Sequence, residues 1–179
     1  MQRTYKTGAR GDRQSRRMST DTATTPTPPA ATAATATATD RPPVRFDTKI
    51  AVLLRDDLES WQRLNVTAFL VSGLGTRLPE LIGEPYEDAD GTAYLPMFRQ
   101  PVLVLEGGKE VLTAARRRAL GRGLPCSVFT SDLFATGNDT DNRAAVRAVA
   151  GDELDVVGLA VHGPRGAVDK VLKGARMHP

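Results

Sequence analysis

The stretch Lys49–Ser72, KIAVLLRDDLESWQRLNVTAFLVS, decides the fold class of this 179-residue chain. It opens with the continuous apolar run Ile50–Leu54, which is typical of a strand covered on both faces. The charged cluster Arg55–Asp57 follows, and the sequence then takes on the spacing of a helix. A buried strand, a polar loop and a helix form the repeating unit of α/β proteins, so we expect a site just after this strand.

The helix in this stretch is expected to run from Leu58 to Gly73. Asp57 is a suitable N-cap, and Gly73 and Gly75 are stop signals. An apolar stripe at helical spacing is typical of a helix that packs on a core. The members of this stripe are Trp61, Leu64, Ala68 and Val71, with Phe69 and Leu70 broadening it.

Strands and helices alternate through the rest of the chain. The pair Asp90-Gly91 between two tyrosine-containing pieces indicates a hairpin. Further strands are expected at residues 101–105, 127–130 and 154–161, and further helices at 109–120, 142–149 and 167–172. This order predicts an α/β layered fold with a mostly parallel sheet and right-handed crossovers.

Composition divides the chain into a tail and a domain. Residues 1–46 are rich in Thr, Ala and Pro and nearly lack large aliphatic side chains, which predicts a disordered tail. Residues 47–179 are expected to form a single α/β domain. The Arg-rich, Ser/Thr-rich and acid-poor leader resembles a transit peptide in composition. We prefer the alternative that translation starts at Met18, which opens the sequence MSTDTATTPT, because residues 1–17 look unlike the rest.

Charge and composition also limit the classes of partner and cofactor that we expect. The formal net charge is +5 for residues 1–46 and −2 for residues 47–179, so the domain itself does not indicate nucleic-acid binding. One Cys and two His argue against a disulfide framework or a zinc site, and no cofactor motif is present. No run approaches the ~20 apolar residues that span a bilayer, and no secretory signal precedes the domain. We therefore expect a cytoplasmic protein without a metal or cofactor.

Three polar clusters each follow a predicted strand, namely residues 55–57, 131–141 and 162–164. If these strands are parallel, the clusters converge at one edge of the sheet and form a ligand crevice. The backbone N–H groups of residues 136–139 could face an anion there, although such a segment is also an ordinary turn. The predicted ligand-binding residues are Arg55, Asp57, Trp61, Asn65, Thr136, Gly137, Asp139, His162 and Gly163.

Two pairs among these residues have alternative interpretations. Arg55 and Asp57 could orient a ligand, or Arg55 could pair with Asp57 or Asp139 and fix the loop. Trp61 and Asn65 are four residues apart and share a helix face, which suits a pocket wall that stacks on a ligand and hydrogen-bonds to it. The alternative is a core Trp beside an Asn that caps a neighbouring loop.

The domain resembles an uncharacterised bacterial family, the domain of unknown function number two thousand, over about residues 48–179. The resemblance is carried by KIAVLLRDDLESWQRLNVTAFLVSGL, ELIGEPYEDADGTAYLPM, FATGNDTDNRAAV and GLAVHGPRGAVDKVLKGARMHP. That family in turn resembles peptidyl-tRNA hydrolase II, because KIAVLLRDDL and LAVHGPRGAVDKVLKG are similar to the opening and closing segments of those enzymes.

The resemblance implies a three-layer α/β/α sandwich around a mixed sheet, a homodimer, and hydrolysis of peptidyl-tRNA. The helix after the charged cluster departs from the hydrolase pattern, since Gln62 and Leu64 stand where lysines are expected. Three functions therefore remain open. They are an enzyme that acts on a small ester or amide, a non-catalytic module that binds a small molecule, and a peptidyl-tRNA hydrolase.

Overall fold

The computed structural model describes residues 43–178, in which strands and helices alternate as the sequence predicts. The strands are β1 Thr48–Arg55, β2 Tyr86–Glu87, β3 Ala93–Tyr94, β4 Val102–Gly107, β5 Cys126–Thr130, β6 Val156–Pro164 and β7 Arg176–Met177. The helices are α1 Ser60–Arg77, α2 Lys109–Leu120, α3 Asp139–Arg147 and α4 Arg165–Val171, with 3-10 turns at Pro79–Leu81, Ser131–Ala135 and Gly151–Glu153. The expected start at Met18 and nearly all of the expected tail lie outside the described residues.

The main sheet is mixed and mostly antiparallel, with the strand order β5-β6-β1-β4-β7. Among the strands of residues 43–178, β1 and β4 are the one parallel pair, whereas β6 runs antiparallel to both β1 and β5, and β7 runs antiparallel to β4. The predicted mostly parallel sheet is therefore wrong. The apolar run of β6 misled the prediction because a central strand buried on both faces has this pattern whichever way it runs.

Helices cover both faces of this sheet. Ile50, Val52 and Leu54 of β1 are buried in one core with α1, and the alternate residues Ala51 and Leu53 are buried in a second core with α2 and α4. This alternation is the two-residue period of a strand. The predicted buried strand at residues 50–54 is thus confirmed. None of the helices among the described residues is long and apolar enough to cross a membrane.

Helix α1 begins and ends later than the sequence predicts. Its N-cap is Glu59 instead of Asp57, and the backbone N–H of Glu59 donates to Oε1 of Gln62 at 2.9 Å. The helix also continues through both expected stop signals to Arg77. Pro79 opens the next 3-10 turn directly after Leu78, the C-cap of α1.

The core face of α1 also differs from the predicted stripe. Val66, Leu70 and Leu74 are buried, whereas Trp61 is 57% exposed and Leu64 is 75% exposed. Apolar residues occupy two sides of this helix, so periodicity alone could not say which side meets the sheet. As a result, the chain's only Trp lies on the outer side of α1.

The predicted hairpin is confirmed as the pair β2 and β3, joined through Gly91 at φ +84°. The Asp88 carboxylate accepts hydrogen bonds from the backbone N–H groups of Asp90 and Thr92 and from the Tyr94 hydroxyl. These bonds lower the pKa of Asp88, the bond from the Thr92 backbone having the largest effect. The Asp88 carboxylate therefore stabilises this turn.

Candidate functional site

Two of the three predicted polar clusters lie at the same edge of the sheet. β1 and β5 run in the same direction, so the charged cluster after Arg55 and the segment after Thr130 lie at one edge. Because β6 runs the opposite way, its end carries His162 and Gly163 to the other edge. The predicted convergence of these two residues on the site is therefore wrong. Asp155, just before β6, takes their place.

His162 is a core residue at that opposite edge. Its ring is buried, and Nε2 has no hydrogen-bond partner among the described residues. Burial lowers the pKa of His162, while the charge of Glu80 opposes this effect. Gly163 packs against Leu124, since a Cβ at Gly163 would lie 2.8 Å from Leu124 Cδ2. Both residues thus pack within the fold at the edge of the sheet opposite Arg55.

Arg55 is held between two carboxylates. Its Nε donates to Asp57 Oδ1 at 2.7 Å, and its Nη1 donates to Asp155 Oδ1 at 2.9 Å. Lys109 Nζ lies 2.9 Å from the same Asp155 oxygen. Hydrogen bonds from Lys109, Ser131 and Arg55 lower the pKa of Asp155 to about 2. The pairing of Arg55 with Asp57, one of the two interpretations above, is thus present.

A second group of charges braces the same loop. Arg63 donates to Glu106 Oε2, to the Leu58 carbonyl and to the Asp56 carbonyl, at 2.7, 2.9 and 2.7 Å. Arg176 donates to the other oxygen of Glu106 at 2.9 Å. The hydrogen bond from Arg63 is the main reason that the pKa of Glu106 is lowered. The charges after β1 are therefore paired with one another and hold α1 and β4 in place.

A cleft of about 380 Å³ opens between the outer side of α1 and the segment that follows β5. Its walls contain five of the predicted residues, Trp61, Asn65, Thr136, Gly137 and Asp139. Arg55 and Asp57 do not belong to its walls. The remaining wall residues are Phe69, Phe129, Leu133, Phe134, Asn138 and Asn142.

Four aromatic rings form a continuous wall of the cleft. The Trp61 and Phe134 rings meet edge-on with centroids 5.7 Å apart, and Phe69 and Phe129 do the same at 5.8 Å. Phe129 and Phe134 join the two pairs at 5.1 Å. Phe129 is buried, whereas Trp61 and Phe69 are more than half exposed. The wall thus has a buried base and two rings that a ligand can reach.

All three asparagines of the chain line this cleft. Asn138 caps α3, since its side chain accepts from the Asp141 N–H at 3.0 Å and donates to Asp141 Oδ2 at 2.7 Å. Asn142 Oδ1 is hydrogen-bonded to the Thr136 hydroxyl. Asn65 has no hydrogen-bond partner among residues 43–178. Its amide is therefore free to bind a ligand.

Charge is sparse in the cleft. Asp139 is the one ionisable side chain among the wall residues, and its carboxylate pairs with Arg143 at 3.1 Å instead of with Arg55. General acid–base catalysis needs a titratable group within hydrogen-bond reach of the substrate, and nucleophilic catalysis needs an activated side chain. Asp139 is the titratable group on the described walls, and its ion pair with Arg143 engages the carboxylate that such catalysis would use.

The sequence analysis missed most of the aromatic wall. Phe129 lies in a predicted strand, and Phe69 was assigned to the core stripe of α1, so neither was considered for the site. One signal was available, because the only Trp and all three asparagines of the chain fall within two short segments, residues 61–65 and 138–142. Residues of both segments line the cleft.

Comparison with known proteins agrees with this fold. The family model described as Protein of unknown function (DUF2000) matches residues 48–179. A solved structure of a protein of unknown function from Agrobacterium tumefaciens strain C58 is 46% identical, with a TM-score of 0.73, and the match covers 75% of this chain and 100% of that one. No curated protein matches the chain. The family match confirms the resemblance to the domain of unknown function number two thousand, and this chain belongs to the DUF2000 family.

Proposed function

We propose that this protein binds a small molecule in the cleft between α1 and the segment after β5. The observation that carries this proposal is the wall of four contacting rings with two accessible members, Trp61 and Phe69. Exposed aromatic rings are costly to leave in water and are typical of ligand pockets, which usually have volumes of about 300–1,000 Å³. The volume of this cleft lies within that range.

The side chains in and around the cleft favour binding without catalysis. The charged groups Arg55, Lys109 and Asp155 lie outside the cleft walls and satisfy one another. A carboxylate whose pKa is held at about 2 is a poor base at neutral pH. The amide of Asn65, which lines the cleft, can donate and accept hydrogen bonds but does not titrate.

Hydrolysis of peptidyl-tRNA or a related ester or amide is the second candidate. It is favoured by helices on both faces of a mixed sheet, as in the three-layer sandwich of peptidyl-tRNA hydrolase II, and by Asp57, which is exposed after β1. Under this proposal, turnover of peptidyl-tRNA is expected and Asp57→Ala abolishes it. Absence of turnover by the intact protein would leave the binding proposal alone.

The homodimer and the cytoplasmic location implied above are part of the same proposal. Sedimentation equilibrium of the full chain measures the mass in solution directly. A mass that stays at one chain over a wide concentration range would contradict the dimer. Fractionation of cells that express the native protein tests its location.

Amide-resolved NMR titration tests the binding proposal. Phenol, benzamide and benzoate are added separately at millimolar concentration, and at least one is expected to shift the resonances of residues 61–69 and 134–142. Trp61→Ala is expected to remove this response. Leu64→Ala is the matched control, because Leu64 is an exposed apolar residue of the same helix that does not line the cleft. If none of the three compounds shifts these resonances, the binding proposal is wrong.

A further inference from the structure

We infer that the ligand of this cleft is an uncharged, flat ring that carries an amide-like edge, with a hydrogen-bond donor beside an acceptor. Aryl carboxamides and ring lactams have this chemistry. The inference rests on the proposed binding function and goes further, because it names the class of compound. It follows from the charges, the free amide groups and the ring wall of the cleft.

The charge of the cleft argues against an anionic ligand. The ionisable group in the wall is the carboxylate of Asp139, and Asp141 adds a second carboxylate in the same turn of α3. Arg143 is paired with Asp139, while Lys109 and Arg55 are paired with Asp155. On the walls described within residues 43–178, an anion would therefore meet like charge with no unpaired cationic side chain to offset it. This disfavours phosphates and carboxylates, despite the backbone N–H groups at the start of α3.

Among the uncharged side chains of the described walls, the polar atoms without a partner belong to two carboxamides. Both Oδ1 and Nδ2 of Asn65 lack a hydrogen-bond partner within residues 43–178, and so does Nδ2 of Asn142, whose Oδ1 contacts Thr136. Asn138 is excluded because its side chain caps α3. A carboxamide offers one acceptor and one donor side by side. The complementary ligand group is therefore another amide edge, the same kind of pairing by which Asn reads adenine in DNA.

The ring wall determines the shape of the ligand. Trp61 and Asn65 are one helical turn apart, so a ring that lies against the Trp61 indole is placed beside the Asn65 amide. Aromatic pairs favour offset or edge-on contact, so a flat ring can lie against the exposed part of Trp61, whose ring already meets Phe134 edge-on. The cleft volume of about 380 Å³ suits a compound of one or two rings.

Titration with benzamide and benzoate tests this inference, because the two compounds have nearly the same shape and differ in charge and in the amide N–H groups. We expect benzamide to bind at least about tenfold more tightly than benzoate, which is the effect of about 1.4 kcal/mol. We expect Asn65→Ala to weaken the binding of benzamide by a similar factor and to leave the affinity for phenol unchanged. Leu64→Ala should leave the affinities of all three compounds as in the wild type.

The outcomes separate this inference from the proposed function. If benzoate binds as tightly as benzamide, or if Asn65→Ala leaves benzamide affinity unchanged, the inferred ligand class is wrong while the cleft remains a binding site. If no ring compound shifts the cleft resonances, the binding function itself fails. Selective binding of benzamide that depends on both Trp61 and Asn65 supports the function and the ligand class together.

Discussion

Gly158 of β6 lies directly beneath Val66 of α1, so close that a Cβ at position 158 would come within 2.4 Å of Val66 Cγ1. The same Cβ would lie 2.9 Å from Leu70 Cδ1. Val66 is the neighbour of Asn65 in the chain, so this contact fixes how closely the cleft wall of α1 approaches the sheet. The absence of a side chain at Gly158 is therefore a condition for the geometry of the site.

Gly158→Ala is expected to destabilise the protein by about 1–3 kcal/mol, the usual cost of forcing extra volume into a packed core. Chemical denaturation monitored through Trp61 fluorescence measures the free energy of unfolding. Gly166→Ala on α4 is the matched control, because a Cβ there meets no atom within 4 Å. The control should stabilise α4 by up to about 1 kcal/mol. Equal stability of the two variants would contradict this packing.

The lowered pKa of Asp155 predicts that the fold loses stability in acid. Its pKa in the folded protein is about 2, below its ordinary value. A carboxylate with a lowered pKa stabilises the fold above its unfolded pKa, near 4, and this stability is lost as the pH falls toward about 2. The side chain is partly exposed, so we expect roughly 1–2 kcal/mol. Asp155→Asn should be less stable at neutral pH and lose less between about pH 4 and about pH 2. If the free energy of unfolding falls as steeply in Asp155→Asn as in the wild type over this pH range, the prediction is wrong.

The glycines of α1 show why its end could not be predicted from the sequence. Gly73 and Gly75 look like stop signals, yet both lie inside the helix. A Cβ at Gly73 would lie 3.2 Å from Ser127 Cβ, and one at Gly75 would lie 3.2 Å from Phe98 Cε1. Their small size serves close packing against distant parts of the chain, which local propensity cannot reveal. The helix ends instead just before a local signal, Pro79.

In the candidate site, too, features set by neighbouring residues could be predicted from the sequence, whereas features set by distant contacts could not. The strand Ile50–Leu54, the helix Lys109–Leu120 and the placement of Trp61 beside Asn65 depend on nearby residues and were predicted correctly. The direction of β6 depends on which strands it pairs with, and this decided that Asp155, and not His162, lies near Arg55.

The lowered pKa of His162 predicts a second pH dependence of the free energy of unfolding. Burial lowers its pKa in the folded protein, so the unfolded chain binds the proton more readily. The free energy of unfolding should therefore fall as the pH decreases through about 6.5, the ordinary pKa of histidine. His162→Gln removes the titrating ring and should flatten this part of the profile. Urea midpoints measured at several pH values test this. A wild-type profile that rises on acidification through this range would show that the ring favours protonation in the fold.

Phe129 and Phe69 should separate the structural part of the ring wall from the part that meets a ligand. Their rings lie 5.8 Å apart, but Phe129 is 3% exposed and Phe69 is 52% exposed. Phe129→Ala removes a core ring and should cost about 3–5 kcal/mol of stability. Phe69→Ala should cost about 1–2 kcal/mol, because a half-exposed ring buries about half as much area, while weakening benzamide binding. Thermal unfolding and the NMR titration measure the two effects. Equal losses of stability in the two variants would mean that Phe69 is also a core residue, leaving Trp61 as the ring that holds the ligand.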